Sequence, residues 1–526
     1  MGRKQIYSGG TILTMESEGT VQAVFVEDGI IRAVGTKEQM QEIAGTGTEE
    51  IFLNGHTMLP AFLDAHSHIT ALASTLSLAS LEGAADFSEI ISRLKSFANK
   101  RGIKCGEWVV GFGYDQNTLR EHTHPTKEIL DHAFTDSPVM IAHKSGHMGV
   151  VNSKALSYFG ITAKTENPEG GMIGRKTDGG EPNGYLEETA FTSLTPPSIS
   201  EEQKMKQLEQ AQQIYFSHGI TTIQDGLTRT EEWDLLSKMA KLHRLKADIV
   251  CYPDMEKTPQ ILTLHPEFVG HYHGRLKIGG YKIFLDGSPQ GRTAWMTQPY
   301  AGEEEYTGYP IHSDEKVREF VRQAVQKRIP LLAHCNGDAA CEQFIQAFEQ
   351  AECRGEDLRP VMIHAQLLRP DQMPRLRQVG MIASFFIAHT YYWGDVHLKN
   401  FGKRAQLISP AGTALHKGVT YTFHQDTPVI RPDMLETIWC ACNRMTSDGI
   451  VLGEEERISV LDALKGVTKN VAFQYFEEGK KGSIAPGKLA DFCILDKNPL
   501  KTPKEELREI KVMETRKEGK IVYQRT

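Results

Sequence analysis

Short hydrophobic runs that end in polar residues recur through the middle of the chain, with helical patterns between most of them. Eight such runs are "LPAFLDAHSH", "ITTIQDG", "ADIVCYPD", "YKIFLDGS", "IPLLAHCNGD", "PVMIHAQ", "MIASFF" and "VTYTFHQDTP". Continuous apolar runs are typical of parallel strands that are covered on both faces. Eight strands alternating with helices predict a (β/α)8 TIM-type barrel, an α/β fold whose chemistry sits at the C-terminal ends of the strands. The polar residues fall at those ends.

Both ends of the chain have a β pattern instead. "VQAVFVEDGIIRAVG" contains two alternating runs joined at Asp28-Gly29, which is a strong hairpin signal. "GSIAPGKLADFCILD" and "IKVMETRKEGKIVYQ" repeat this pattern near the other end. We therefore predict a small composite β-sandwich domain from residues 1–57 and 479–526, with a barrel domain, 58–478, inserted between its two parts.

The interval between the first and second predicted barrel strands is unusually long. It carries "GFGYDQN", "MIAHKSGHMGVVNSKAL" and the Gly-rich "NPEGGMIGRKTDGGEPNGYLEE". We interpret residues of about 71–205 as one large insertion after strand 1 that covers the barrel mouth, because its pattern does not repeat the β/α unit.

Composition restricts the class of protein. The 526 residues are 40% hydrophobic and 24% charged, with a net charge of −8, which is typical of a soluble globular protein. The lack of basic clusters argues against nucleic-acid binding. No secretion signal and no apolar run of about 18 residues is evident, so no membrane contact is predicted. Eight scattered cysteines without a CxxC pair predict reduced thiols in a cytoplasmic protein.

Two histidines one residue apart, His66 and His68, follow the first of the eight runs. Alternate side chains of a strand point to the same face, so these imidazoles share a face, with Asp64 one step behind them. Two protonated imidazoles would repel, whereas one divalent cation can bind both in neutral form. An isolated pair of this kind is more often two surface or turn histidines.

Polar residues at other strand ends favour a metal site over two surface or turn histidines. His334 ends the apolar strand in "LLAHCNGDAA", His364 does so in "VMIHAQ", and "VTYTFHQDTP" offers Asp426. A single histidine on such a strand is usually a satisfied core residue. Four histidines and an acid at four C-terminal strand ends of one barrel, however, converge in space. Imidazole with carboxylate is a ligand set suited to Zn²⁺, Fe²⁺ or Mn²⁺.

Lys282 in "YKIFLDGS" would place an ammonium group in the barrel interior, which is costly unless it is paired. A salt bridge to Asp286 or to another acid is one interpretation of this lysine. A second interpretation depends on the resemblance described next.

The ordered set "DAHSH", "GITTIQDG", "YKIFLDGS", "HCNGDAA", "IHAQ", "QDTP" and "GSIAPGKLADFCILD" resembles the amidohydrolase superfamily. It is most similar to the amidohydrolase 3, YtcJ-like branch, which includes N-substituted formamide deformylase. The resemblance covers nearly the whole chain. It implies that His66, His68, Asp426 and Lys282 bind the more buried metal, with Lys282 converted by CO₂ to a carbamate that could bridge two ions.

The same resemblance implies that Lys282, His334 and His364 would hold a second metal if one is present. One or two ions are therefore expected, with Zn²⁺ the most typical. One position departs from the pattern. Relatives usually have a small "GSD" before the last acid, whereas this chain has His424-Gln425-Asp426. His424 could narrow the substrate pocket, partner Asp426, or face a satisfied neighbour.

The predicted function is metal-dependent hydrolysis of a non-peptide C–N bond in an amide, N-substituted formamide or cyclic amide. A cation lowers the pKa of bound water toward about 7, and Asp426 would act as general base and then acid. A deaminase, an esterase-like hydrolase or a non-catalytic metal-binding barrel are the alternatives. The partner would be a small-molecule substrate, and a homodimer is expected only by analogy with relatives.

Six further residues are weaker candidates, and each has a structural alternative. His147 and His389 could stabilise an oxyanion, or could serve only packing and hydrogen bonding. Asp115 and Asn152 could shape the substrate pocket, or could cap turns. Tyr391 and Trp393 could line an apolar part of that pocket, or could pack between loops.

Overall fold

A computed structural model describes residues 3–177, 180–197, 199–351 and 356–526. These residues fall into two compact units, one of Met1–Leu72 with Leu208–Thr526 and one of Ala73–Gln207. None of the described helices combines the length and the apolar character that crossing a bilayer requires. The described cysteines are free thiols, and all except Cys105 are buried.

The strands of the described residues are numbered in chain order. They are β1 Lys4–Leu13, β2 Thr20–Glu27, β3 Ile30–Gly35, β4 Glu49–Phe52, β5 Thr57–Pro60, β6 Phe62–Leu63, β7 Ala79–Ser80, β8 Val109–Tyr114, β9 Val139–His143, β10 Met148–Val151, β11 Gly171–Arg175, β12 Pro182–Glu188, β13 Ile220–Thr228, β14 Asp248–Pro253, β15 Leu276–Ile278, β16 Tyr281–Phe284, β17 Leu331–Cys335, β18 Val361–His364, β19 Ile382–Phe385, β20 Tyr421–Phe423, β21 Phe492–Leu495, β22 Val512–Lys517 and β23 Lys520–Gln524.

The α-helices are numbered in the same way. They are α1 Lys37–Ala44, α2 Ile69–Thr75, α3 Phe87–Arg101, α4 Lys127–Ala133, α5 Ser153–Tyr158, α6 Thr189–Thr192, α7 Glu201–Ser217, α8 Thr230–Lys241, α9 Gln260–Leu264, α10 Asp314–Lys327, α11 Asp338–Gln350, α12 Met373–Gln378, α13 His389–Tyr392, α14 Gly394–Phe401, α15 Ala411–His416, α16 Met434–Asn443, α17 Val460–Gly466 and α18 Lys469–Gln474. Short 3-10 helices lie at Pro266–Phe268, Gly402–Leu407, Glu454–Glu456 and Lys504–Glu509.

One sheet of eight strands combines both ends of the chain, in the order β23-β22-β21-β5-β1-β2-β3, with β4 paired to β1. β5 and β21 join the two parts as antiparallel neighbours, with Met58 opposite Ile494. Alternate residues of β2 face two different cores. Val24 packs in a cluster with Phe492, and Phe25 packs in a second cluster with α1, which is the alternation of a sheet covered on both faces.

The predicted barrel strands form two parallel sheets, β15-β14-β13-β6 and β16-β17-β18-β19-β20. Each strand pair in these sheets is parallel, as the apolar runs predicted. β15 and β16 are separated only by Gly279-Gly280. β14 and the residue after it pair with both, since Cys251 of β14 pairs with Ile278 and Asp254, which follows β14, pairs with Lys282. Between these two pairs, the segment from Ile278 to Lys282 has one residue more than the segment from Cys251 to Asp254. An extra residue on one side of a strand pair is the geometry of a β-bulge.

The outer edges of the same two sheets are also joined by backbone hydrogen bonds. The His68 N–H donates to the Thr427 carbonyl at 2.8 Å, and the Asp426 N–H donates to the His66 carbonyl at 3.2 Å. These bonds bring the chain after β6 next to the chain after β20. Apolar side chains from both sheets share one core, which includes Leu63, Val250, Leu332, Ile363 and Ile382.

The unit Ala73–Gln207 has a six-stranded sheet of its own, in the order β11-β12-β10-β9-β8-β7. β7, β8 and β9 are parallel, and the remaining pairs are antiparallel. Its core is formed by apolar residues such as Leu94, Ile141 and Val150. The long interval of the sequence therefore folds as a separate compact unit.

A cluster of buried charges lies where the chain-end sheet meets β14 and β15. We name it the base network, and its members are Asp248, Lys277, Glu477, Lys481, Asp491 and Lys517. Lys517 Nζ lies 2.6 Å from a carboxylate oxygen of Asp248 and of Asp491. Burial alone would raise the pKa of Glu477, but Lys481 and Lys277 lower that pKa to about 2. The base network is therefore charged and mutually neutralised, as buried charges need to be.

Candidate active site

Three of the predicted ligands meet at one end of the parallel strands. His66 and His68 follow β6, and Asp426 follows β20. Asp426 Oδ1 lies 3.6 Å from His66 Nε2 and 3.2 Å from His68 Nε2. The three ligand atoms all lie within 4.8 Å of one another, a spacing that one divalent cation can span.

The donor atoms of this group fit a cation. Asp426 Oδ1 is buried and forms no hydrogen bond of normal geometry, and an unpaired buried carboxylate oxygen is costly. Burial raises the pKa of Asp426, but the close imidazoles of His68, His364 and His66 hold that pKa well below its usual range. The group thus presents an ionised carboxylate and two imidazole nitrogens to one point.

Gln224, on β13, orients His66. Its Nε2 donates to the Ala65 carbonyl at 2.8 Å and to the Tyr475 hydroxyl at 2.9 Å. Its Oε1, 2.6 Å from His66 Nδ1, is thereby fixed as an acceptor. His66 then carries its proton on Nδ1 and directs an unprotonated Nε2 toward Asp426. We did not predict Gln224 from the sequence, although a glutamine inside the apolar run "ITTIQDG" is a signal that could have identified it.

The variant Gln224→Leu is expected to weaken divalent-metal affinity by roughly 10–100-fold, as loss of a partner of a metal-binding histidine typically does. Equilibrium dialysis with Zn²⁺ would measure the change. Gln212→Leu is the matched control, because Gln212 is also a buried glutamine but bonds to the backbone of Lys246 and Ala247. An equal loss of metal in both variants would contradict the orienting role of Gln224.

Lys282 is fully buried on β16, with Nζ 3.2 Å from His66 Nε2. Burial lowers the pKa of Lys282 to about 7, against the opposing effect of Asp426. Among the described residues no carboxylate lies within 4 Å of its Nζ, and Asp286 instead accepts three backbone N–H bonds. The salt bridge to Asp286 is therefore not formed, and the buried amine of Lys282 has His66 Nε2 rather than a carboxylate as its near partner.

His334 and His364 lie side by side at the ends of β17 and β18. His334 Nδ1 is 3.1 Å from His364 Nε2, and His364 Nε2 is 4.0 Å from Asp426 Oδ2. The other nitrogen of His334 lies 3.2 Å from the Gly287 carbonyl, to which it can donate. Burial, and then the charge of Lys282, lower the pKa of His334 to about 4. In this second pair of neutral imidazoles, His364 faces the same carboxylate as the first pair.

His424 is fully buried, and both ring nitrogens have protein partners. Its Nδ1 lies 2.8 Å from Ser384 Oγ, and its Nε2 lies 3.2 Å from His364 Nδ1. Burial lowers the pKa of His424 to about 3, although Asp426 opposes this. In this arrangement the side chain offers no free polar group and no exposed surface, and the substrate contact predicted for His424 stays a prediction.

His389 begins α13 and is buried. Its Nδ1 lies 3.1 Å from His397 Nε2, and its ring packs against Phe386 and Trp393. Burial, and then the nearby His397, lower the pKa of His389 well below its usual range. The pairing with His397 was not predicted. The Tyr391 ring packs edge-on against the Trp439 ring, whereas the Trp393 ring packs against His389.

Three further candidates lie in the unit Ala73–Gln207. Asp115 is buried and paired with Lys144, whose hydrogen bond is the main cause that lowers the pKa of Asp115 to about 2. His147 is exposed and lies 3.0 Å from a Glu188 carboxylate oxygen. The roles predicted for Asp115 and His147 stay predictions.

Asn152 has a structural task in the same unit. Its side chain is fully buried, accepts two backbone N–H bonds and donates to two carbonyls. One accepted bond caps the N-terminus of α5. The cap agrees with the structural alternative that the sequence offered for Asn152, and its predicted substrate contact stays a prediction. His143, which we did not predict, ends β9; its buried Nε2 has no hydrogen-bond partner within the described part of the chain and lies 3.6 Å from Asp115 Oδ1.

Comparison with known proteins gives consistent matches. The model of the family described as "Amidohydrolase family" matches residues 49–523. The chain is 30% identical to "Putative amidohydrolase YtcJ" of Bacillus subtilis, over 99% of this chain and 100% of that protein. It is 26% identical to "N-substituted formamide deformylase" of Arthrobacter pascens, over 96% and 95%. A solved structure of an uncharacterized metal-dependent hydrolase from Pyrococcus furiosus matches with a TM-score of 0.77 and 25% identity, over 95% and 100%.

Proposed function

The chain belongs to the amidohydrolase family, as its motifs predicted, and from that premise we propose that it hydrolyses a non-peptide C–N bond with a divalent metal bound at Asp426. The observation that carries the proposal is the buried Asp426 Oδ1, which has no hydrogen bond and faces the Nε2 atoms of His66 and His68. A cation at this point would satisfy all three atoms.

We also propose that the two parallel sheets are one closed (β/α)8 barrel within residues 58–478. Two observations support closure: the bulge at Gly279-Gly280 between β15 and β16, and the hydrogen bonds from Asp426 and His68 at the opposite edges. In this proposal residues 1–57 and 479–526 form the composite β domain, and residues of about 71–205 form the insertion.

The proposed ligands of a first ion are His66, His68, Asp426 and Lys282, and those of a second ion are Lys282, His334 and His364. Zn²⁺ is the proposed ion because the donors are imidazole and carboxylate. A divalent ion in this place supplies a Lewis acid that acidifies water and polarises the bond to be cleaved. The ligands proposed for the first ion are the same whether one ion or two ions are bound.

Carboxylation of Lys282 by CO₂ is part of the proposal. In this reaction the neutral amine would form an N–C bond to CO₂ and lose one proton to solvent. Burial lowers the pKa of Lys282 to about 7, so a substantial share of the side chain is neutral near pH 7. The product carries a negative charge close to His66 Nε2 and Asp426, where only bound cations would make that charge tolerable.

Asp426 is proposed to move the proton. An ionised carboxylate beside the bound ion could accept a proton from water and return it to the leaving nitrogen. His389 and His147 are retained as candidates for stabilising negative charge on the substrate oxygen. Asp115, Tyr391 and Trp393 are retained as candidates for substrate contact.

The substrate class is proposed from chemistry and from one relative. N-substituted formamide deformylase is a 26% identical relative, so N-substituted formamides, other N-acyl compounds and cyclic amides form the proposed class. A deaminase or an esterase-like hydrolase would use the same activated water, and a non-catalytic barrel would bind metal without turnover.

Metal analysis of the purified protein, combined with a hydrolysis screen, tests the proposal. We expect at least one divalent ion per chain and hydrolysis of an N-formyl, N-acyl or cyclic amide substrate that is lost on chelation. Turnover of aminopurines or esters alone would favour the alternative activities. A protein that takes up no divalent ion would contradict the proposal.

A further inference from the structure

His424 connects the ends of three neighbouring strands. It follows β20, its Nδ1 lies 2.8 Å from Ser384 Oγ on β19, and its Nε2 lies 3.2 Å from Nδ1 of His364 at the end of β18. The His424 side chain is fully buried. A buried imidazole with protein partners on both nitrogens has a fixed ring orientation, because any rotation would break at least one of the two bonds.

The contacts of His364 determine where the protons lie. His364 Nε2 faces His334 Nδ1 at 3.1 Å. If these two nitrogens share a cation, both must be unprotonated, since a metal binds the lone pair of a neutral imidazole. The proton of His364 is then on Nδ1 and is donated to His424 Nε2. His424 in turn carries its proton on Nδ1 and donates it to Ser384 Oγ.

We propose that His424 is a positioning residue that holds His364 in the Nδ1–H tautomer and directs its Nε2 toward a cation shared with His334. This inference rests on the proposed function. It makes occupancy of the second metal position depend on His424, which orients one of the ligands. The first position has a different support, because His66 is oriented by Gln224. The two positions therefore depend on different partner residues.

The geometry also explains why the residue at position 424 has to accept a hydrogen bond from His364. Without His424 Nε2, the buried Nδ1–H of His364 would lose its hydrogen-bond partner among the described residues. His364 could then rotate or shift its proton to Nε2, and either change removes a metal ligand.

The test compares His424→Leu with His424→Gln. Leucine fills the space against His66 but cannot accept a hydrogen bond, whereas the glutamine oxygen can take the place of Nε2. Apo protein is titrated with Zn²⁺ and the two binding steps are resolved by calorimetry. We expect His424→Leu to weaken the second step 10–100-fold and to change the first step less than about threefold. His424→Gln should restore the second step to within about threefold of the original protein.

His397→Leu is the matched control, since His397 is also a fully buried histidine but bonds to His389. It should leave both binding steps unchanged. An unchanged second step in His424→Leu, or an equal loss in His397→Leu, would overturn the inference while the proposed function stands. A parent protein that binds one ion only would also overturn it, and one that binds none would overturn the proposed function itself.

A second measurement does not depend on the folding of a variant. In zinc-loaded protein with ¹⁵N-labelled histidine, the ring signals of His364 report which nitrogen is protonated. We expect a proton on Nδ1 and a metal-bound Nε2. The opposite assignment, with the proton on Nε2, would overturn the inference.

Discussion

Asp426→Asn is expected to lower turnover by roughly 10²–10⁴-fold, the usual contribution of a general acid–base residue. The amide keeps the size of the carboxylate and one oxygen ligand, but it cannot accept a proton from water at neutral pH. The two imidazole ligands beside it, His66 and His68, are unchanged. Metal content should therefore fall much less than turnover.

Steady-state kinetics and metal analysis of the same preparation would measure both effects. Asp448→Asn is the matched control, because Asp448 is exposed in a loop of the same unit, and it should retain activity within about twofold, as surface substitutions generally do. Asp426→Asn with undiminished turnover would remove Asp426 from the proton-transfer role. Parallel loss of metal and turnover would instead show that its main role is to bind the ion.

The second large effect is expected for stability. Lys517→Met in the base network should lower the free energy of unfolding by about 3–5 kcal/mol, the cost of removing one partner of a buried ion pair. Lys517 lies 2.6 Å from both Asp248 and Asp491 and is almost completely buried. After the substitution, Asp248 keeps Lys481 as a partner, but Asp491 loses its close cation.

Urea-induced unfolding, followed by circular dichroism, would measure this change. Lys520→Met is the matched control, because Lys520 is exposed three residues along the chain, and its effect should stay within about 0.5 kcal/mol. The double variant Lys517→Met/Asp491→Leu should recover part of the loss, since it removes both members of the pair. If the double variant is less stable than Lys517→Met alone, the stranded charge is not the cause.

The sequence predicted the parts of the fold that local patterns encode. Apolar runs identified the parallel strands, and the polar residues at their ends identified the histidines and Asp426 that the structure brings together. Parallel strands buried on both faces have a simple pattern, and the C-terminal ends of such strands share one edge. These two rules do not require knowledge of any long-range contact.

Other features depend on partners that are distant in the chain. Gln224 orients His66 across 158 positions, and His424 contacts His364 across 60. No local pattern identifies such a partner, so the sequence offered a substrate contact for His424 but not its contact with His364. Capping of α5 by Asn152 is, by contrast, a local signal, and the sequence offered it as the alternative to a substrate contact.

The sheet that unites the two chain ends has a consequence for biosynthesis. β5 lacks its neighbour β21 until roughly 430 further residues have left the ribosome, which takes on the order of 20–90 s at about 5–20 residues per second. During that interval the first strands expose an unpaired edge, which is a site for aggregation. Nascent chains of this protein would therefore benefit from a chaperone that shields the amino-terminal strands until synthesis is complete.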